Sequence, residues 1–359
     1  MGQFHLDLYD KNGVRKAILN DVGSLTYSVK VNNPGKVFFS LPGDKAIAKE
    51  IAPGWRCDVW RLLPDGEWRK ELITFIEGWQ WTYTDRPLMT FSGTGVLALL
   101  STRIVAYYAN KSNYSAFISR DVESIAKTIV RTNIGDWSTV GTYGRMVDGV
   151  DSRISVETNS NRGVTTDWFC AWQVLLKTLQ ELAKAGGFDF DLVPVGNGYE
   201  FRTYFPRLGT DRTDSVVFAL ERGNITNVSN SLTTGSSANI AIVGGKGEES
   251  ERVVEVVSKP LNRSPFDSEV FVQATDVDTP AGLVQRGNSK LDEMEAIPKF
   301  EFDILQAENA RWNVDYFLGD LVKVVSPMEQ ISANAKIDSA SVTFDGDGRE
   351  SIEIGVEIE

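Results

Sequence analysis

Apolar and polar residues alternate over positions 25–31, with Leu25, Tyr27, Val29 and Val31 on one side and Thr26, Ser28 and Lys30 on the other. A period of two marks a half-buried strand. The turn-forming run Asn32-Asn33-Pro34-Gly35 follows and the extended pattern resumes over 37–41, so the two segments predict a hairpin. Asp44 stands at the capping position of a short helix over 46–51, which Pro53-Gly54 stops. Further strands are expected over 56–62, 72–83 and 88–92, with turns at Pro64-Asp65-Gly66 and Thr84-Asp85-Arg86-Pro87. Short strands at this spacing predict a small barrel or sandwich for the N-terminal part of the chain.

Beyond residue 96 the period lengthens. A helix start is expected over 96–100, and a helix over 121–132 with Val122, Ile125, Ala126, Ile129 and Val130 on one face. The strongest helical pattern runs over 168–185, where Trp172, Leu175, Leu176, Leu179 and Leu182 form a stripe that Gly186-Gly187 ends. Positions 109–161 are otherwise polar and loop-rich. A hairpin over 188–193 and 199–204 turns through Gly196-Asn197-Gly198. Strands follow over 215–220, 239–243 and 252–257, then a helix over 280–296 with Pro280 as an early residue. The chain ends in strands over 299–305, 320–325, 335–344 and 350–357, the last two joined through Asp345-Gly346-Asp347-Gly348. The expected fold class is therefore α+β, mainly β.

The β segments echo one another. Gly23-Ser24-Leu25-Thr26 recurs as Gly223-Asn224-Ile225-Thr226, and the strand over 37–43 recurs over 239–245. Gly54-Trp55-Arg56-Cys57 has a counterpart in Gly319-Asp320-Leu321-Val322, the segment 76–83 in 337–344, and Thr90-Phe91-Ser92 in Ser351-Ile352-Glu353. The recurrence of these segments in the same order indicates duplication, with 246–298 inserted in the second copy.

Charge narrows the function. With 37 Lys and Arg against 49 Asp and Glu the formal charge is −12, which argues against holding nucleic acid through its phosphates. One histidine, His5, and two cysteines, Cys57 and Cys170, leave little material for a zinc site, a His-based triad or a disulfide framework. No apolar run approaches the ~18 residues of a membrane span, so a soluble cytoplasmic product without a membrane segment is expected.

Candidate chemistry is sparse. Asp189 and Asp191 share one face of a strand, as a glycosidase pair would, although alternation with Phe188, Phe190 and Leu192 fits a solvent-facing hairpin better. Asp345-Gly346-Asp347-Gly348 resembles part of a calcium loop without its closing Glu. Gly244-Gly245-Lys246-Gly247 lacks the spacing and the Ser or Thr of a phosphate loop. Cys57 and Cys170 are expected as core thiols. Trp55, Trp60, Trp68, Trp79 and Trp81 cluster near the N-terminus, and a row of exposed indoles could stack on sugars or hold a protein partner. No catalytic, cofactor-binding or metal residue is assigned, and no cofactor is expected.

Gly23-Ser24-Leu25-Thr26-Tyr27, Leu41-Pro42-Gly43-Asp44, Pro53-Gly54-Trp55, Glu77-Gly78-Trp79, Glu221-Arg222-Gly223-Asn224 and Tyr316-Phe317-Leu318-Gly319-Asp320 together resemble the baseplate or tail hub proteins of siphophages. They resemble more distantly the trimeric hub of contractile tails. The resemblance implies two related small, tail-tube-like β-barrels per chain, one over 1–102 and one over 218–245 with 299–359, with α/β insertions over 103–217 and 246–298. It also implies a structural, non-enzymatic virion protein at the tail tip, assembled in the host cytoplasm. Such a protein forms a homotrimeric, pseudo-sixfold ring between the tail tube or distal tail protein and a central fibre or spike. DNA passes through its lumen without specific binding. A carbohydrate- or receptor-binding tail component is the alternative, and a cell-wall hydrolase a more remote one.

Overall fold

The computed structural model describes residues 3–106, 115–138, 153–231, 237–260, 266–277, 279–295, 299–305, 307, 310–326 and 331–358. Parts of the polar stretch expected over 109–161 lie outside the described residues. In chain order the elements are β1 (Gln3–Tyr9), β2 (Arg15–Leu19), β3 (Ser24–Lys30), β4 (Asn33–Pro42), α1 (Ala46–Glu50), β5 (Arg56–Leu62), β6 (Trp68–Tyr83) and β7 (Pro87–Gly95). They continue as β8 (Ser115–Asp121), α2 (Val122–Asn133), β9 (Ile154–Val156), β10 (Thr165–Cys170), α3 (Leu175–Gly186), β11 (Asp189–Val195) and β12 (Gly198–Tyr204). Then come β13 (Val217–Ala219), β14 (Ile225–Ser231), β15 (Ile240–Gly244), β16 (Val254–Ser258), β17 (Glu269–Gln273), α4 (Pro280–Glu293), β18 (Lys299–Ile304), β19 (Leu321–Ser326), β20 (Ile331–Phe344) and β21 (Glu350–Ile358).

These elements form two compact units. Met1–Ala98, Arg207–Asn230 and Lys299–Glu359 make the first, and Leu99–Pro206 with Ser231–Pro298 the second. The fold is mainly β, as expected. In the first unit, 13 strands join one sheet in the order β14-β18-β21-β20-β3-β4-β7-β6-β5-β1-β2, with β19 on β20 and β13 on β19. Among the described residues this is an open, branched path rather than two separate closed barrels.

The echo read from the sequence is also an echo of register. Arg56 faces Phe75 as Leu321 faces Lys336, and Trp79 faces Phe91 as Ala340 faces Ile354. Both long strands are irregular at the same place, between Ile76 and Gly78 and between Ile337 and Ser339. The Gly54 N–H donates to the Ile76 carbonyl at 2.8 Å, and the Gly319 N–H to the Ile337 carbonyl at 2.8 Å. Both glycines have positive φ, +86° and +84°. Five strands thus recur in order, β3-β4-β7-β6-β5 and β14-β18-β21-β20-β19.

Several details differ from the sequence reading. The counterpart of β4 is β18, whereas residues 239–245 enter β15 of the second unit; the first unit also begins its return at Arg207. The third echoed strand is displaced by two further positions, because residues 84–86 join Tyr83 to Pro87 but 345–349 join Phe344 to Glu350. The β3-β4 turn sits at Val31 and Asn32, with Asn32 at φ 56°, and Pro34 and Gly35 lie inside β4. Helix α1 is capped at Lys45 without a side-chain bond, so Asp44 does not cap it.

The second unit places helices beside small sheets: β8 with β10, β12 between β11 and β9, and β15 between β16 and β17. The helix expected over 168–185 starts only at Leu175. Thr165, Thr166, Trp168 and Phe169 favour extended backbone, and they pair with β8 in β10. Asp121 caps α2 by accepting the Ser124 N–H, and Gly187 closes α3 in a left-handed conformation. Leu283 and Leu291 of α4 pack on Ala241 and Val243 of β15.

Candidate assembly surface

The two strand sets meet inside the chain along β3 and β20. Leu25 lies opposite Phe344, Tyr27 opposite Val342 and Val29 opposite Ala340. Ala340 is 3% exposed, and Val342 and Phe344 are wholly buried. On the other face of this seam the hydroxyls of Thr26 and Thr343 are 3.2 Å apart. Cross-strand pairs of this kind, apolar on one face and hydroxyl on the other, set both register and stability.

A buried charge cluster reinforces the junction. The Arg61 guanidinium of β5 donates to Glu71 Oε1 of β6 at 3.3 Å, to Glu350 Oε1 of β21 at 3.0 Å and to the Trp312 carbonyl at 3.1 Å. Asn313 Nδ2 donates to Glu71 Oε2 at 2.7 Å. Burial alone would disfavour the charge on Arg61, but Glu71 and Glu350 outweigh it and hold the guanidinium firmly protonated. Burial, followed by the Glu71 charge, pushes the neighbouring Tyr27 phenol well above its usual range. The pattern contained one clue to this cluster: Arg61 shares the alternation of Cys57 and Val59, so a cation falls on the core side of a strand.

The last residues of β6 have no equivalent cover. Trp79, Trp81 and Tyr83 are 53, 53 and 63% exposed, and the Trp81 and Tyr83 rings stack at 6.1 Å. They pair with β7 on one edge, while the β5 ladder ends at Phe75. Among the described residues no strand pairs with the other edge of positions 78–83, nor with the outer edge of β14. The remaining tryptophans take different roles. Trp55 packs against the core, Trp60 stacks on His5 at 5.6 Å, and Trp68 sits 4.6 Å from the same imidazole. Tyr83, the third member of the aromatic row, was not singled out from the sequence.

None of the candidate chemical groups gathers into a reacting site. Asp189 is buried rather than solvent-facing, and Asp191 is pushed up to about 6 by burial, opposed by the Leu192 N–H that its carboxylate accepts. Asp345 Oδ1 accepts the N–H groups of Asp347 and Arg349 at 3.0 and 2.8 Å, which makes the segment a turn. The N–H groups of Gly245 and Lys246 already donate to Val253 and Val277 carbonyls, so they form no phosphate cradle. Cys57 and Cys170 are buried free thiols, both raised by burial, Cys170 to about 12. Among the described residues no three acidic, His or Cys side chains gather to hold a metal, and no helix is long and apolar enough to cross a membrane.

A family model described as Siphovirus ReqiPepy6 Gp37-like protein matches residues 5–356. No curated protein sequence matches the chain. Among solved structures, the tail protein from Neisseria meningitidis MC58 is similar over 99% of this chain and 96% of its own, with TM-score 0.57 at 12% identity. The 43 kDa tail protein of prophage MuSo2 from Shewanella oneidensis is similar over 99% and 98%, with TM-score 0.58 at 15% identity. Prophage tail protein gp18 from Listeria monocytogenes EGD-e is similar over 98% and 94%, with TM-score 0.54 at 11% identity. At such identities the likeness is one of fold.

Proposed function

The chain belongs to the Siphovirus ReqiPepy6 Gp37-like protein family; on that premise we propose that it is a structural, non-enzymatic phage tail protein, the hub of the tail tip or baseplate. Three chains form a ring, and because each brings two similar strand sets, the ring presents six similar wall segments. Such a ring matches a sixfold tail tube or distal tail protein on one side and a threefold fibre or spike on the other. Each five-stranded set acts as one small barrel-like wall segment, and the second unit supplies the insertions. The observation that carries the reading is the duplication in register, with the same hydrogen bonds at Gly54 and Gly319.

The acid surplus has a place in this scheme. Carboxylates facing the lumen repel DNA phosphates, so the genome slides through without adhering. Native mass spectrometry and imaging of the purified chain test both parts: a trimeric ring with a negative inner potential is expected. A strict monomer that binds host polysaccharide would favour a receptor-binding role, and a basic lumen would refute the sliding role.

A further inference from the structure

The two strand sets are alike in register but differ at one edge. In the second set, the positions of Ala340, Val342 and Phe344 are sealed by β3. The registers put Trp79, Trp81 and Tyr83 in those same places in the first set, since Trp79 faces Phe91 as Ala340 faces Ile354, and Tyr83 faces Pro87 as Phe344 faces Glu350. There they stand more than half exposed. Their side chains point to the face that carries the buried Phe91 and Met89, so the core stops where a strand is missing. The missing strand also has a match in the chain. β14 is the counterpart of β3 and ends the sheet, leaving its outer edge unpaired among the described residues.

We propose that the open edge of β6 at 78–83 is completed by the outer edge of β14 from a second copy of this chain, in antiparallel register. The contact deepens the hub reading and rests on it. A long exposed edge bearing two Trp and a Tyr is an aggregation template unless it is covered, and aromatic residues of this type anchor interfaces. Strand addition satisfies the backbone groups and buries the aromatic row together. The seam inside the chain supplies the register. Thr343 pairs with Thr26 there, and their counterparts are Thr82 and Thr226, so the hydroxyl pair recurs as Thr82 against Thr226 of the partner subunit. Because one edge is met by a different edge, the contact is head-to-tail and propagates around a ring rather than stopping at a twofold dimer.

Cysteine cross-linking tests the register directly, because the native thiols Cys57 and Cys170 are buried and do not compete. The full chain carrying both Thr82→Cys and Thr226→Cys, oxidised with oxidised glutathione, should give disulfide-linked species ending at three chains. Either single variant should give none. Trp81→Asp, at an exposed position, should leave the thermal midpoint of the monomer unchanged and shift association to concentrations higher by roughly tenfold or more. Trimers that form in the double variant without cross-links would overturn the strand assignment, leaving the edge to another tail protein, while the hub reading stands. Dimers formed by Thr82→Cys alone would overturn the head-to-tail contact. A chain that stays monomeric when concentrated, with no cross-link, would overturn both.

Discussion

Glu123, wholly buried in α2, is held by five donors. The Arg162 N–H and Nε reach Oε2 at 2.7 and 3.2 Å, Arg162 Nη2 reaches Oε1 at 2.8 Å, Lys127 Nζ reaches Oε1 at 2.5 Å, and the Thr203 hydroxyl reaches Oε1 at 3.2 Å. Burial by itself would raise this carboxyl, but the bonds from Arg162 and Lys127 outweigh it and lower the group to about 2. A carboxylate depressed in the folded state stabilises the fold above its ordinary pKa of 4.5, and that stability is lost as pH falls from there toward 2. The denaturation midpoint should therefore decline across this window, and Glu123→Gln should flatten the decline. At neutral pH the same variant should cost about 3 kcal/mol, because Lys127, only 1% exposed, loses a charged partner in the interior. The sequence showed Glu123 and Lys127 one helical turn apart, but the apolar stripe of α2 alone gave no sign that they were buried. Their burial follows from the segment over 157–162 and from Thr203 of β12, whose groups bond to them on the polar side of the helix.

The paired strands carry their own test. Gly54 and Gly319 each turn the chain into a strand at a positive φ that an L side chain adopts at a cost of roughly 1–2 kcal/mol. A Cβ on Gly54 would meet open space, whereas one on Gly319 would lie 2.8 Å from Leu208 Cβ. Chemical denaturation should thus find Gly54→Ala less stable by about 1 kcal/mol and Gly319→Ala by clearly more. Most long strands were legible because β3, β4, β5, β20 and β21 bury one face and alternate accordingly. β10 was misread as helix because Trp168 falls in step with the stripe of α3, and periodicity cannot separate an apolar strand end from a helix start. Trp172, at φ 58°, marks the actual break.

At the scale of the whole molecule, Arg61 ties residues far apart in sequence, Glu71 and Glu350, within one sheet. Arg61→Met should cost about 3–5 kcal/mol in denaturant unfolding, since it strands Glu71, itself 1% exposed, and combining it with Glu71→Gln should recover much of the loss. The amino-acid order alone determined the strand-rich character, the absence of His- or Cys-based chemistry, the acidity and the existence of an internal repeat, because each is written in composition or local period. Only the tertiary structure decided that β18 rather than β15 completes the second set, that β3 closes on β20, and that the matching edge of β6 stays open. Hydrogen-bonded partners separated by an inserted unit leave no local trace: alternation says which face of a strand is buried, and the neighbour that buries it is chosen by the fold.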